Sequence, residues 1–326
     1  MKKILIIHTG GTIAMTVDNN NVAEPSAHNP LIQEIKRITS NDVSITSEIL
    51  CNLPSNEITP AIMLQLAQRI QKAEHDGFDG IIVTHGTDTL EETAYFLDLV
   101  LPNRIPVVVT GAMRAANAVG ADGLHNIQSA IWTILSPTAY NQGVMVVLND
   151  EIHAARYVTK THTTNVATFK SPLTGPLGII ADQKAVFLQT LTHHAPAYPL
   201  TQLKDKIYIL TTYTGMDSLL LDAIDNKQTN GVVIEGVGAG NVAPAMLPGI
   251  YHLLAHHIPI ILVSRCINGF AEAIYGNDTG GANLQKDGII ICQGLNGAKA
   301  RIKLMVGLSI GKTGQELANF MHDALS

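Results

Sequence analysis

The stretch KILIIHTGGT, from Lys3 to Thr12, decides the fold of this chain. Its apolar run is far shorter than the roughly 20 residues of a membrane span and is typical of a buried strand. The TGGT that follows combines glycines, which accept positive φ, with threonines, which cap helices well. A strand that ends in such a loop indicates the first strand of a parallel α/β sheet, where ligands bind at the carboxyl ends of strands.

Short apolar runs alternate with helical patterns along most of the chain. The strand-like GIIVTH and PVVVTG, for example, flank the helical LEETAYFLDLVL, and Thr59 followed by Pro60 favours a helix start. This alternation predicts a mainly parallel sheet covered by helices. It lapses near residue 190 and then restarts. We therefore predict an N-terminal α/β domain (1–190), a linker (191–206) and a smaller C-terminal α/β domain (207–326).

The composition excludes several classes of protein. The 326 residues are 46% hydrophobic and 15% charged, as expected of a globular chain with a large core. A net charge of -6 without basic clusters argues against nucleic acid or an anionic membrane as partner. The apolar run near the N-terminus is shorter than a signal peptide requires. The distant cysteines Cys51, Cys266 and Cys292 fit neither disulfides nor zinc and indicate reduced thiols in the cytoplasm.

Polar motifs follow the predicted strands at the edge where ligands bind in parallel sheets. We expect Thr12, Thr87 and Asp88 to face one crevice. Hydroxyl groups and a carboxylate in glycine-rich backbone suit nucleophilic attack on a carbonyl, with free N–H groups for the oxyanion. The attack needs a base, for which Lys160 and the histidines near it are candidates. Charge pattern alone favours a solvated surface position for Lys160.

Four motifs resemble those of the bacterial-type L-asparaginase family, in the same order and over essentially the whole chain. They are HTGGTIAM (8–15), THGTDTLEETAYFL (84–97), VTKTHTTNVATFKSP (158–172) and GVGAGN (236–241). The resemblance implies a two-domain, parallel-sheet α/β fold with a larger N-terminal domain. It also implies an amidohydrolase that converts L-asparagine to L-aspartate and ammonia without metal or cofactor. The implied assembly is a homotetramer, a dimer of dimers whose sites are completed across the interface.

The resemblance also implies roles for individual residues. Thr12 resembles the primary nucleophile of the family. Thr87, Asp88 and Lys160 resemble a second triad, in which neutral Lys160 takes a proton from Thr87 or from water. Asp88 would orient this lysine and also pair with the α-ammonium group of the substrate.

Other positions resemble the family's substrate-binding residues. Ser55 would hold the α-carboxylate and Asn56 would lie near the amine. Asn241 resembles a residue that the neighbouring subunit contributes. Tyr275 is the nearest replacement for a glutamate that secreted members contribute from that subunit, where this chain has Gly276.

The chain departs from the family in the loop after the first motif as well. Family members usually carry a tyrosine there that assists the nucleophile, but TVDNNNVAEPSAHN (16–29) contains none. Glu272 is a second, weaker candidate for the missing glutamate. The sequence leaves open which groups replace these two residues.

Two other functions on this scaffold stay open. The chain could be the amidase subunit of a tRNA-dependent amidotransferase, which predicts basic surface or extra domains, or a non-catalytic amino-acid sensor, which needs no nucleophile.

Two further motifs are interpreted as structural. Ser309 in GLSIG follows a helical run instead of the strand that a nucleophile elbow needs. His252 and His256 have the spacing of a zinc pair but no evident third ligand.

Overall fold

The chain divides into two compact units, Met1–Pro199 and Leu200–Ser326. The division falls inside the predicted linker, 191–206, of which residues 192–196 lie outside the described part. The computed structural model describes residues 1–18, 22–25, 31–38, 42–102, 104–191 and 197–322.

The first unit is built on a large sheet of eight strands. Its elements are β1 (Lys2–His8), β2 (Met15–Val17), β3 (Ala23–Pro25), α1 (Leu31–Ile38), β4 (Val43–Ile49), α2 (Pro60–His75), β5 (Gly80–Thr84), α3 (Leu90–Val100), β6 (Val107–Thr110), α4 (Gly123–Leu135), β7 (Val144–Leu148), β8 (Glu151–Ala154), β9 (Thr159–Lys160), β10 (Phe169–Lys170), β11 (Gly178–Ala181) and β12 (Lys184–Phe187).

The central strands of this sheet are parallel, in the spatial order β4-β1-β5-β6-β7. From β1 the chain continues to β4 on one side and then crosses to β5 on the other side of β1. The strand order therefore reverses between β1 and β5. Ligands bind at such a switch point in open α/β sheets, outside the carboxyl ends of the two strands. The predicted mainly parallel sheet is confirmed here.

Both faces of the central strands are buried. Ile4 and Ile6 of β1 pack in one core cluster with residues of α1 and α4. Leu5 and Ile7 alternate with them along the strand and are equally inaccessible to solvent. Burial on both faces explains why the strand is a continuous apolar run, without the polar alternation of a half-exposed strand.

The far edge of the sheet was not predicted. There β8, β11 and β12 add to β7 in antiparallel orientation. Two short ladders lie outside the large sheet: β2 pairs with β3, and β9 pairs with β10. The β9–β10 hairpin carries Lys160, so its placement decides where this side chain lies.

The second unit has its own parallel sheet, in the order β13-β14-β15-β16. Its elements are β13 (Ile207–Thr211), α5 (Leu219–Ile224), β14 (Gly231–Gly236), α6 (Leu247–Ala255), β15 (Ile260–Ser264), α7 (Gly281–Lys286), β16 (Ile290–Ile291), α8 (Gly297–Ser309) and α9 (Gly314–His322). A separate apolar cluster forms its core. In the described part of the chain, no helix is both long and apolar enough to cross a membrane.

Several local signals in the sequence correspond to the structure. Helix α2 begins at Pro60, and Thr59 Oγ1 accepts the N–H of Ile62 at 3.4 Å. Ser309 is the last residue of α8, and its hydroxyl donates to the carbonyl of Met305 at 2.7 Å. Its helical position agrees with the interpretation that GLSIG is not a nucleophile elbow.

Candidate active site

Glycines bring three loops into backbone contact at the switch point. A Cβ on Gly11, after β1, would lie 2.2 Å from Cα of Gly86, after β5. A Cβ on Gly10 would lie 2.4 Å from the backbone nitrogen of Leu53, after β4. The φ angles of Gly10 and Gly11, 105° and 81°, also favour glycine. The TGGT sequence is therefore required for loops that pack without intervening side chains.

Thr12 begins a short 3-10 turn, Thr12–Ala14, directly after this contact. Ile13 and Ala14 are buried, and Ile13 belongs to the core cluster beside α1 and α4. Thr12 itself is only partly buried. The buried neighbours therefore hold the turn close to Gly86, while Thr12 stays partly accessible to solvent.

Lys160 lies against the loop after β5. Its Nζ donates to Thr87 Oγ1 at 2.9 Å and to Asp88 Oδ1 at 2.6 Å. The Lys160 side chain is 14% exposed, whereas Asp88 is 69% exposed. Lys160 is thus an ordered, mostly buried side chain, and the solvated surface position favoured by charge pattern is wrong. The Lys160 amine holds the Thr87 hydroxyl and the Asp88 carboxylate in one group.

Ser55 joins the loop after β4 to the same group. Its Oγ accepts the backbone N–H of Asp88 at 3.2 Å, and its carbonyl accepts the Thr89 hydroxyl at 2.7 Å. The Ser55 hydroxyl hydrogen remains available to a further acceptor, because the side chain uses only its oxygen in the first bond. Asn56, the next residue, is exposed.

A cavity of about 350 Å³ opens beside these groups. Asp88 and Lys160 line it, together with His162, one of the histidines near Lys160 that were candidate bases. Sequence reasoning missed the other three lining residues: Glu91, Thr161 and Thr163. Glu91 accepts the Thr159 hydroxyl at 3.1 Å, which ties α3 to the β9–β10 hairpin. Glu91 lies at the start of α3, and Thr161 and Thr163 stand beside Lys160 in the motif 158–172. This closeness to predicted site residues was the signal that the sequence offered.

The remaining predicted residues lie in the second unit. Asn241 follows β14, and its backbone forms an isolated bridge with Val237. Tyr275 is exposed in the segment after β15, and Glu272 and Gly276 beside it are exposed as well. The described residues contain no group of three or more His, Cys, Asp or Glu that could hold a metal ion.

Comparison with known families assigns almost the whole chain. Residues 3–193 match the family described as "Asparaginase, N-terminal". Residues 206–321 match the "Glutaminase/Asparaginase C-terminal domain". The chain belongs to the asparaginase family. The resemblance of the four motifs is thereby confirmed, and so is the predicted two-domain α/β fold.

Asparaginases of several bacteria align with this chain over nearly its full length. The L-asparaginase of Bacillus licheniformis is 36% identical over 315 residues, covering 96% of this chain and 97% of that protein. L-asparaginase 2 of Escherichia coli is 33% identical, covering 99% of this chain and 93% of that protein. A probable cytoplasmic L-asparaginase of Campylobacter jejuni has a similar structure, with a TM-score of 0.87, 34% identity and coverage of 98% and 99%.

Two histidines in this member of the asparaginase family are buried just below the loops. His85 Nδ1 donates to the Gly86 carbonyl at 2.7 Å, and its Nε2 accepts the Thr93 hydroxyl at 2.9 Å. His8 Nδ1 lies 2.9 Å from Thr84 Oγ1. Burial lowers the pKa of each imidazole from 6.5 to about 4, because the charged form would lose its hydration. Both rings are therefore neutral at physiological pH.

These histidines predict a loss of stability in mild acid. The unfolded chain binds protons at His8 and His85 near pH 6.5, whereas the folded chain resists them until about pH 4. The two neutral histidines contribute fully to the free energy of unfolding above pH 6.5. This contribution is lost as the pH falls towards 4, by up to about 3 kcal/mol for each histidine. Urea unfolding at several pH values in this window measures it.

The variant His8→Asn isolates the effect from other titrating groups. The free energy of unfolding of His8→Asn should depend less on pH between 6.5 and 4 than that of the wild type. His75→Asn is the matched control, because His75 is exposed at the end of α2. Identical pH dependences for wild type and His8→Asn would contradict the prediction.

Proposed function

We propose that this protein hydrolyses L-asparagine to L-aspartate and ammonia, with Thr12 as nucleophile. One observation carries the proposal: at the switch point, Lys160 Nζ bonds both Thr87 Oγ1 and Asp88 Oδ1. These residues adjoin the Thr12 turn through the contact of Gly11 with Gly86. Family membership and the names of the aligned relatives support the same activity.

In the first step, the Thr12 hydroxyl attacks the carboxamide carbon of the substrate. The resulting tetrahedral oxyanion would be held by backbone N–H groups of the glycine-rich loops. Its collapse breaks the C–N bond, the nitrogen leaves with the hydroxyl proton as ammonia, and a β-aspartyl ester on Thr12 remains. Water then attacks the ester carbonyl, which releases L-aspartate and restores the Thr12 hydroxyl.

The proton transfers of these steps would be carried out by Lys160, Thr87 and Asp88. Lys160 in its neutral form would take a proton from Thr87 or from water, and Asp88 would hold the Lys160 amine in place. Asp88 is the more exposed of the pair, so its second oxygen can pair with the α-ammonium group of the substrate. Ser55 would hold the α-carboxylate through its hydroxyl, and Asn56 would lie near the amine.

The activity is tested by ammonia release from purified protein with L-asparagine and with L-glutamine. We expect clear preference for asparagine, because one extra methylene misplaces the carbonyl relative to Thr12. The preference should appear more in kcat than in binding. Equal turnover of both amides would contradict the preference, and binding of asparagine without any ammonia release would exclude the hydrolase activity.

We also propose that each site is completed by a second copy of the chain, in a dimer of dimers. Asn241 of one subunit would then contact substrate held by Thr12 of another, with Tyr275 as a second contributor. Mixing inactive Thr12→Val protein with Asn241→Ala protein should restore activity, because some exchanged dimers hold one intact site. Asn241→Ala should lose an amide contact to a charged substrate group, which costs about 1 to 3 kcal/mol. This loss should lower its own activity enough for the mixing experiment.

The mixing experiment has an internal control. Each variant alone, incubated under the same conditions, should stay inactive. Activity that does not return although mass spectrometry shows mixed oligomers would place Asn241 outside the shared site.

We further infer a cytoplasmic location, which the similarity to the probable cytoplasmic enzyme of Campylobacter jejuni supports. None of these observations favours the amidotransferase subunit or the amino-acid sensor.

A further inference from the structure

A buried polar network lies behind the hairpin that carries Lys160. His153 on β8 is fully buried, and its Nδ1 lies 3.0 Å from Ser171 Oγ, just after β10. Its Nε2 lies 3.1 Å from Glu151 Oε2. The Glu151 carboxylate also accepts both hydrogen bonds of Lys170 Nζ, at 2.8 and 2.9 Å. The network thus connects two residues of β8 to two residues at the end of the hairpin.

The hydrogen-bond directions in this network follow from its chemistry. A carboxylate can only accept, so the His153 Nε2 carries the hydrogen that Glu151 receives. Nδ1 is then the acceptor for the Ser171 hydroxyl. The serine is 5% exposed and its hydroxyl is engaged by His153, so we interpret the Ser–His–Glu set as structural. Each polar group is paired, as a buried network requires to favour one arrangement.

The network is linked to the active site by a short path. Ser171 follows Lys170, and Phe169 in the same strand pairs directly with Lys160 across the β9–β10 ladder. At the other end, Lys160 reaches Thr87 and Asp88. The two-stranded ladder has few bonds of its own, so its placement depends on what anchors its ends.

We propose that Glu151, His153 and Ser171 position Lys160 for its role in hydrolysis. The inference rests on the proposed function of Lys160 as proton acceptor. His153 is a positioning residue, because it acts through the hairpin without touching the substrate. The proposed substrate-binding residues Ser55, Asn56 and Asp88 lie in the loops after β4 and β5, outside the hairpin. Disturbing the network should therefore lower kcat and leave KM nearly unchanged.

The test compares His153→Leu, which removes both ring hydrogen bonds, with the wild type. We expect kcat for asparagine to fall about 10- to 100-fold, since a displacement near 1 Å can cost that much, with KM within about twofold. His153→Gln keeps an N–H that can reach Glu151 and should recover part of the lost kcat. An unchanged kcat, or a loss confined to KM, would overturn the inference.

His125→Leu is the matched control. His125 also pairs with a carboxylate, Asp150 at 2.7 Å, next to β8, but its side chain is half-exposed. Its kcat should equal that of the wild type. If His153→Leu does not fold, Ser171→Ala carries the same test, because it removes one hydroxyl and keeps the His153–Glu151 pair.

Hydrogen exchange separates this inference from the proposed function. The Thr161 N–H donates to the Thr168 carbonyl at 2.8 Å, in the turn of the hairpin. Amides of residues 159–170 should exchange faster in His153→Leu, and those of α2 should not change. Wild-type protein that releases no ammonia would refute the hydrolase activity, whereas unaltered exchange in the hairpin would refute the anchoring.

Discussion

Thr12→Val should lose nearly all turnover of L-asparagine, by at least about 1,000-fold in kcat, with little change in affinity. Valine keeps the shape of threonine and lacks only the oxygen that would attack the carboxamide. Thr12 is partly exposed in its 3-10 turn, and its buried neighbour Ile13 holds that turn in the core. The fold should therefore survive the change. Ammonia release gives kcat, and calorimetric titration gives the affinity.

Thr138→Val is the control for this substitution. Thr138 also lies in a 3-10 turn, Pro137–Ala139, but it is exposed and belongs to no predicted site. Its turnover should match that of the wild type. If Thr12→Val keeps turnover near the wild-type value, the nucleophile is another group, and Thr87 becomes the first alternative.

Gly11→Ala should destabilise the first unit strongly and abolish activity. The alanine would be strained at φ 81°, and its Cβ would lie 2.2 Å from Gly86 Cα, so the two loops must separate. We expect a loss of at least about 3 kcal/mol, since backbone strain of 1–3 kcal/mol adds to the clash. Thermal and urea unfolding measure the stability, and ammonia release measures the activity.

Gly77→Ala separates the two causes. Gly77, after α2, has φ 83°, but no atom lies within 4 Å of the added Cβ. Its alanine variant therefore shares the positive φ without the clash and should lose about 1 kcal/mol. Activity should not change. Equal losses for the two variants would show that the contact of Gly11 with Gly86 contributes nothing.

The sequence was sufficient to predict the centre of the fold. The β1 and β5 strands are buried on both faces, so they are uninterrupted apolar runs, and their glycine-rich ends mark the crevice. Thr59 and Pro60 marked a helix start by local chemistry that needs no tertiary contact. Predictions of this kind succeed because the signal and the structure lie in the same few residues.

The far edge of the sheet and the hairpin depended on distant contacts. Strands β9 and β10 have only two residues each, too few for a periodic pattern. The burial of Lys160 follows from its hydrogen bonds to residues more than 70 positions away, and the local charge pattern carries no information about such distant partners. His252 and His256 have the spacing of a zinc pair but pair separately with Asp222 and Asp225, which agrees with their structural interpretation.

The order of the strands has a consequence during protein synthesis. The ribosome delivers the five parallel strands first, between Lys2 and Leu148, with both threonines already in place. Lys160 emerges later, 72 positions after Asp88, and Ser171 later still. Synthesis therefore delivers all five parallel strands before the hairpin that carries Lys160. On the proposed mechanism, a product truncated before the hairpin would lack Lys160 and should release no ammonia from L-asparagine.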